Sequence, residues 1–177
     1  WLHIDASALG TDAVLEADVC IIGTGAGGGI AADVLSDTGL KVVMIEEGML
    51  KTSTDFRMLE AEAYPQLYQE SASRKTADKA INILQGRTVG GSTTVNWTTS
   101  FRTPSPTLKY WRERFGLTEL TDEHMEGWFK LAEKLTNITD WAVPPNENNA
   151  VLERGGQKIG IKVERIRRNV KACYNLG

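Results

Sequence analysis

Several things are scarce in this sequence, and each absence excludes a class of protein. No uninterrupted apolar run approaches the roughly 20 residues that a membrane-crossing helix needs. The two cysteines, Cys20 and Cys173, form neither a CxxC pair nor a disulfide framework, and with two histidines the chain has no Cys/His pattern of metal-ligand spacing. Twenty Lys and Arg against 23 Asp and Glu leave a net charge of −3. This balance excludes the strong basic field that recruits nucleic acid or anionic lipid.

The composition that remains is that of an ordinary folded chain. Hydrophobic residues make up 41% and charged residues 24% of the 177 residues, close to the values of globular proteins. The length suits one domain, or a domain with an arm. The opening residues, WLHIDASALG, include no Met and no basic and apolar segments of a signal peptide, so the compartment is left open at this point.

The first clear pattern is a strand, a helix and a second strand within about 30 residues. Residues 18–22 (DVCII) and 40–45 (LKVVMI) are apolar and β-branched, as in buried parallel strands. Residues 27–36 carry small and apolar side chains at helical spacing, and Gly39 is placed to end that helix in a left-handed conformation. The pattern predicts an α/β fold built on a parallel crossover. We expect Cys20 to be a buried thiol within the first strand.

The rest of the chain predicts further helices and two weaker strands. A helix is expected over 53–63, capped by Ser53 or Thr54 and broken at Pro65. Further elements are expected as a strand at 80–84, helices at 108–115 and 121–135, a short helix after the loop 143–149, and a strand at 161–166. In the helix 121–135, an apolar stripe predicts core packing; its members are Met125, Trp128, Phe129, Ala132 and Leu135. A basic run predicts a solvated or ion-paired surface; it comprises Arg165, Arg167, Arg168 and Lys171.

Gly23, Gly25 and Gly28 form GxGxxG between the first strand and the first helix, which is where a pyrophosphate can meet free backbone N–H groups. The first glycine permits a tight turn, the second lets a phosphate approach, and the third allows close packing of helix on strand. Ala32 and Gly39 continue the spacing of the motif. Ala32 allows a close contact between the helix and the sheet, and Gly39 ends the helix. The position of the motif therefore predicts a dinucleotide site.

Glu46 ends the second strand, 18 residues after Gly28. This is close to the separation expected for a carboxylate that accepts hydrogen bonds from the adenosine ribose. With Glu47 beside it, a 2′-phosphate would meet like charge, so the site favours FAD or NAD over NADP.

A second glycine cluster, GRTVGGSTTVN at residues 86–96, is followed by an arginine and a proline. Together with the first motif, it resembles the N-terminal part of the glucose-methanol-choline (GMC) family of FAD oxidoreductases, whose pattern here is close to GRxxGGSSxxN. The matching residues are Gly86, Arg87, Gly90, Gly91, Ser92, Asn96, Arg102 and Pro104. The sequence departs at Thr93, where many members have a second serine, but threonine keeps the hydroxyl. The resemblance extends more loosely over about residues 17–177.

The resemblance implies a Rossmann-like FAD-binding βαβ unit with additional helices, forming an incomplete domain. Gly90 and Gly91 can present bare backbone donors to a diphosphate, and the residues after them would border the flavin. The predicted cofactor-binding residues are Gly23, Thr24, Gly25, Ala26, Gly27, Gly28, Glu46, Glu47, Arg87, Val89, Gly90, Gly91, Thr94, Val95 and Asn96. Some relatives attach flavin covalently through a histidine just before the asparagine. Val95 holds that place, so the resemblance implies non-covalent FAD.

The family resemblance also implies what this segment lacks. In the family, a hydride passes from an alcohol carbon to flavin while a late histidine removes the hydroxyl proton. His3 and His124 lie in neither glycine cluster, so no catalytic residue and no metal ligand is predicted here. We expect residues 1–104, with an arm at 1–17, to be the N-terminal part of the FAD domain. Residues 105–177 would begin a helical substrate region.

The implied partners are an alcohol, an electron acceptor (oxygen, a quinone or a cytochrome) and the remaining C-terminal polypeptide of the enzyme, without nucleic acid. Localisation stays open between cytoplasmic and membrane-associated or periplasmic. Two other functions remain. An NAD-linked enzyme would use the same first motif but leaves the second cluster unexplained. A stand-alone, non-catalytic nucleotide-binding module is the other alternative.

Overall fold

A computed structural model describes residues 2–171. The chain folds as two compact units, Trp1–Asn96 and Trp97–Gly177. The first unit contains a 3₁₀ turn Ala6–Ala8, β1 Val19–Ile22, α1 Ala26–Asp37, β2 Val42–Ile45, α2 Glu60–Leu67, a 3₁₀ turn Gln69–Ala72 and α3 Ser92–Val95. The second contains β3 Thr99–Ser100, α4 Ser105–Phe115, α5 Asp122–Leu135, α6 Glu147–Lys158 and β4 Arg167–Arg168. The fold is thus mixed helix and strand, as the sequence predicts.

The strand–helix–strand unit forms as expected. β1 and β2 are parallel, in a register that pairs Val19 with Val42 and Ile22 with Ile45. The intervening α1 ends before Gly39, which has a φ of 86°, a left-handed conformation that glycine adopts without steric cost. This crossover brings the carboxyl ends of both strands to the same edge, where the first glycine turn and Glu46 follow.

Three expectations for the first unit are wrong. Within the described residues, 80–84 do not form a strand: Asn82 makes an isolated antiparallel bridge to the nearby Lys75, through hydrogen bonds from Thr76 N–H to Ile81 O and from Ile83 N–H to Arg74 O. The helix expected over 53–63 runs instead over Glu60–Leu67, with Pro65 inside it. Pro65 lies in the second turn of α2, where it cannot donate the hydrogen bond to the preceding turn, and the helix ends two residues later at Leu67.

Cys20 is exposed rather than buried, which corrects the third expectation. Side chains alternate along β1, with Val19 and Ile21 half-buried and Cys20 and Ile22 exposed. An apolar run alone therefore did not indicate which strand face is covered. Cys173 lies outside the described residues.

The second unit has well-defined helix ends. The Thr121 hydroxyl accepts a hydrogen bond from His124 N–H at the start of α5, and Asn146 caps α6 in the same way. Gly116 ends α4 with a φ of 69°. The expected strand at 161–166 is wrong by position: β4 is Arg167–Arg168, antiparallel to β3.

Ion pairs around Glu133 connect α5 to the segments before and after it. Arg102 donates to both oxygens of Glu133, from Nε at 2.8 Å and Nη2 at 3.0 Å, in a fork-to-fork pair. Arg167 donates to the same carboxylate at 3.0 Å. Arg165 pairs with Glu153, so two members of the basic run are ion-paired, as expected.

Few side chains are fully covered in the part of the chain that the structure describes. Leu67 in the first unit and Leu108 in the second are the buried apolar residues, and Thr88 is buried with 0% exposure. The apolar stripe of α5 is not core: Trp128 is 58% and Leu135 53% exposed, while Met125 and Phe129 are half-buried. The helical spacing correctly predicts one face, but burial of a face requires a second element to cover it.

Candidate dinucleotide-binding site

The first glycine turn is shaped by close backbone packing between β1 and α1. Gly23 has a φ of 92°, and its N–H donates to Ile45 O at 2.7 Å, continuing the strand pairing. A Cβ on Gly28 would lie 2.1 Å from Gly23 O. This is a steric clash, so no residue with a side chain fits at position 28. Gly23 and Gly28 are therefore required by the protein's own backbone.

Gly25 and Gly27 differ, because a Cβ at either position would meet no protein atom within 4 Å. Gly25 is the N-cap of α1, has extended φ/ψ and provides no side-chain cap. The first turn of this 12-residue helix carries no acidic residue. Helix N-terminal N–H groups without a side-chain cap attract an anion through hydrogen bonding and the helix dipole.

The Glu46 carboxylate lies against this turn and is already extensively hydrogen-bonded. Oε2 accepts from Thr24 N–H at 2.9 Å and from the Thr24 hydroxyl at 2.8 Å, while Oε1 accepts from Gly48 N–H at 2.9 Å. Burial opposes ionisation, but the backbone donors of Thr24 and Gly48 outweigh it and lower the pKa of Glu46 below its ordinary value. The side chain is an oriented anion at the end of β2.

The second glycine turn, around Gly90 and Gly91, follows a segment that packs against the loop after β2. Gly90 and Gly91 have φ values of 91° and 56°, both left-handed. The buried Thr88 hydroxyl donates to Met49 O at 2.8 Å, and a Cβ on Gly48 would lie 2.3 Å from Thr88 N. Gly48 and Thr88 were not predicted as site residues. The glycine directly after Glu46 and Glu47 was the one sequence feature that could have indicated a close approach of another backbone segment to this loop.

The two glycine turns meet, although 66 residues separate their paired members. Gly90 N–H donates to the Thr24 hydroxyl oxygen at 3.0 Å. A Cβ on Gly91 would lie 2.8 Å from the Gly25 Cα. Thr24 therefore contacts both Glu46 and the second turn, a relationship that the sequence did not indicate.

Glu47 faces a different set of partners from Glu46. Arg87 Nε donates to Glu47 Oε2 at 3.1 Å, and Gln69 Nε2 donates to Glu47 Oε1. Both members of the ion pair are about half exposed. The negative charge of Glu47 is thus paired with Arg87, whereas that of Glu46 is held by uncharged donors.

The other predicted residues lie around the same two turns. Ala26 begins α1. The Thr94 hydroxyl donates to Val89 O at 2.8 Å, and α3 ends at Val95, followed by Asn96. All fifteen predicted cofactor residues belong to the first unit. Their contacts with a cofactor stay a prediction.

Neither histidine belongs to the two glycine turns. His3 is in the exposed N-terminal segment. His124 is on α5, where it accepts a hydrogen bond from Trp128 Nε1 at 3.4 Å and lies 3.9 Å from Glu119. Across residues 2–171, no three His, Cys, Asp or Glu side chains are grouped to hold a metal ion.

Within residues 2–171, no helix has the length and apolar character needed to cross a membrane.

A strand–turn–helix whose N-cap has no side-chain hydrogen bond, next to a second glycine turn and an oriented carboxylate, is an arrangement typical of nucleotide-binding proteins. Comparison with known families makes this more specific. Residues 64–177 match the model of the GMC oxidoreductase family. The chain belongs to the GMC oxidoreductase family, which confirms the resemblance seen in the sequence.

The similar proteins are much longer than this chain. It is 32% identical over 163 residues to the long-chain-alcohol oxidase FAO4A of Arabidopsis thaliana, covering 92% of this chain and 22% of that protein. It is 31% identical to the uncharacterized GMC-type oxidoreductase y4nJ of Sinorhizobium fredii, over 94% of this chain and 33% of that protein. A solved structure, pyridoxine 4-oxidase from Mesorbium loti, matches with 25% identity and a TM-score of 0.46, over 62% of this chain and 23% of that one.

Proposed function

We propose that this chain is the N-terminal portion of a FAD-dependent oxidoreductase that oxidises an alcohol CH–OH group. The observation that carries the proposal is the meeting of the two glycine turns through Thr24 and through Gly25 and Gly91. An NAD site built on the first motif alone leaves the second turn without a role.

The residues present fit a dinucleotide with a diphosphate. Gly25 and Gly27 leave open space beside the N-terminus of α1, where N–H groups have no side-chain partner. A phosphate there would accept hydrogen bonds from the backbone and interact favourably with the helix dipole. Gly90 and Gly91 lie against this turn without side chains. Their N–H groups donate within the protein, to the Thr24 hydroxyl and to Thr88 O, so they are not the bare donors that the sequence predicts.

The charges at the ribose end support an unphosphorylated ribose. Glu46 is an anion with a lowered pKa, held next to the first turn. A carboxylate has about four acceptor positions, and Thr24 and Gly48 use three of them. The Glu47 backbone N–H also favours the ionised form of this carboxylate, and a 2′-phosphate beside it would be repelled.

When bound, FAD supplies the acceptor for the hydride that leaves the alcohol carbon. The residues of this chain would bind and orient it: the N-terminus of α1 would hold the diphosphate beside the second glycine turn, Glu46 would hold the ribose, and Thr94, Val95 and Asn96 would border the flavin. Val95 offers no nucleophile for a covalent link at this position, which supports non-covalent binding of FAD. The base that takes the hydroxyl proton and the rest of the substrate pocket belong to the remaining C-terminal polypeptide.

The lengths of the relatives support this division, because the chain spans about a fifth of the long-chain-alcohol oxidases that it matches. We propose residues 1–104 as part of the FAD domain and 105–177 as the start of the substrate region. Four relatives are named long-chain-alcohol oxidases, which favours a long-chain alcohol as the substrate. Oxygen, a quinone or a cytochrome would then reoxidise the flavin.

The direct test is to purify the complete enzyme that carries this chain and to identify its cofactor. We expect a yellow protein whose flavin is released by denaturation, chromatographs as FAD, and is bleached by an alcohol under anaerobic conditions. Colourless protein that binds NAD would support the NAD-linked alternative. Nucleotide binding without bleaching by any alcohol would support a non-catalytic module.

A further inference from the structure

Thr24 was predicted as a cofactor contact, but its polar atoms are used within the protein. Its backbone N–H and its hydroxyl both donate to Glu46 Oε2, at 2.9 and 2.8 Å. Its hydroxyl oxygen also accepts from Gly90 N–H at 3.0 Å. A threonine has one hydroxyl hydrogen and one backbone N–H, so no donor is left for a phosphate.

We propose that Thr24 is a positioning residue that couples the Glu46 carboxylate to the second glycine turn, so that the ribose and diphosphate parts of the site are set together. This inference rests on the proposed function. The Thr24 hydroxyl would not touch the cofactor itself and would act through Glu46 and the second glycine turn.

The geometry explains why a single hydroxyl can do this. Thr24 is close in sequence to neither partner: 22 residues separate it from Glu46 and 66 from Gly90. Both hydrogen bonds are partly buried, where competition from water is reduced. Since the hydroxyl donates to one partner and accepts from the other, each bond strengthens its neighbour.

The surrounding backbone makes the Gly90 position sensitive to that bond. Gly90 is left-handed, and a Cβ there would lie 2.3 Å from the Thr94 hydroxyl. Next to it, Gly91 already approaches Gly25 closely. Without the Thr24 acceptor, Gly90 N–H would have to turn toward solvent or another partner, since a buried N–H left unpaired is costly. The spacing between the two turns would change with it.

The test uses the complete enzyme, stripped of flavin and titrated with FAD. Thr24→Val removes the hydroxyl at nearly constant shape, and Thr24→Ser keeps the hydroxyl but removes the methyl group. We expect Thr24→Val to raise the Kd for FAD about tenfold, the effect of one to two hydrogen bonds. Thr24→Ser should stay within about threefold of the wild type, because it preserves both bonds.

A double-mutant cycle with Glu46→Gln separates positioning from direct contact. If Thr24 acts through Glu46, Thr24→Val should weaken FAD binding much less in the Glu46→Gln background than in the wild type. Additive effects would overturn the inference, since they would mean that Thr24 binds the cofactor independently. Equal losses in the Val and Ser variants would also overturn it, because the methyl group would then be what matters.

Two further controls keep the result interpretable. If Thr24→Val does not fold, Thr24→Ala is compared with Thr24→Ser in the same titration and carries the same expectation. Chemical denaturation of the flavin-free variants measures the Thr24–Glu46 coupling without any cofactor.

A wild-type enzyme that takes up no FAD would remove the proposed function and this inference together. Normal FAD binding that is insensitive to Thr24→Val would remove only the inference.

Discussion

Gly91 approaches Gly25 so closely that a Cβ added to Gly91 would lie 2.8 Å from the Gly25 Cα. The two residues belong to separate motifs, one after β1 and one before α3. The contact gives Gly91 a structural reason to be glycine, whereas Gly25 has open space on its own Cβ side. This difference separates substitutions that damage the fold from those that block a ligand.

Gly91→Ala should destabilise the protein even without cofactor. The new methyl group would overlap Gly25, and the left-handed φ of 56° is unfavourable for alanine. Overpacking of this kind costs about 1–3 kcal/mol of unfolding free energy. Denaturant unfolding of the flavin-free enzyme measures it. An unchanged midpoint would show that the turns do not pack as described.

Gly25→Val should abolish FAD binding while leaving the fold intact. Its side chain would enter the open space at the N-terminus of α1, where the diphosphate is proposed to bind. Gly29→Val is the matched control, because that helical position is also free of neighbours within 4 Å but lies a turn further along α1. Flavin absorbance per protein and the unfolding temperature are measured for both. Full flavin content in Gly25→Val would place the diphosphate elsewhere.

Glu46→Gln should weaken FAD binding by about 1–3 kcal/mol, the contribution of hydrogen bonds to a charged group. The variant also places an amide donor next to the donors of Thr24 or Gly48. Glu47→Gln is the comparison, and its effect should be smaller because an exposed ion pair contributes about 0–1 kcal/mol. Fluorescence titration with FAD gives both affinities. Equal effects would mean that the two acids share the ribose role.

The second unit should lose stability in acid through Glu133. Hydrogen bonds from Arg102, with the charges of Arg102 and Arg167, lower the pKa of Glu133 below its ordinary value. With the folded pKa below that of the unfolded chain, ionised Glu133 stabilises the native state above about pH 4.3. This stabilisation disappears as the pH falls through the folded pKa.

The measurement is the unfolding midpoint between pH 3 and 7 for the wild type and Glu133→Gln, with hydrogen exchange of α5 as a local probe. The difference between the two proteins should be large near neutrality and shrink in acid. Glu113→Gln is the control, since Glu113 forms an exposed pair with Lys109 at 3.8 Å and should show little difference at any pH. A constant difference for Glu133→Gln would contradict the ionic origin of the effect.

The elements that sequence reasoning located well are those with strong local signals. The parallel crossover follows from two β-branched runs, a helix between them and Gly39, all of which act over a few residues. Helix α5, predicted over 121–135, likewise forms over Asp122–Leu135. The elements placed wrongly, such as the strand at 80–84, depended on whether backbone groups pair locally or with a distant strand.

By itself, the sequence determined the family, the crossover and the positions of the two glycine turns, because glycine is demanded wherever backbone must turn left-handed or approach closely. Only the tertiary structure decided that Thr24 joins Glu46 to Gly90, that Glu47 pairs with Arg87, and that Cys20 and the α5 stripe are exposed. These outcomes depend on which side chains meet across long separations in the chain. Local residue preferences carry no information about such meetings.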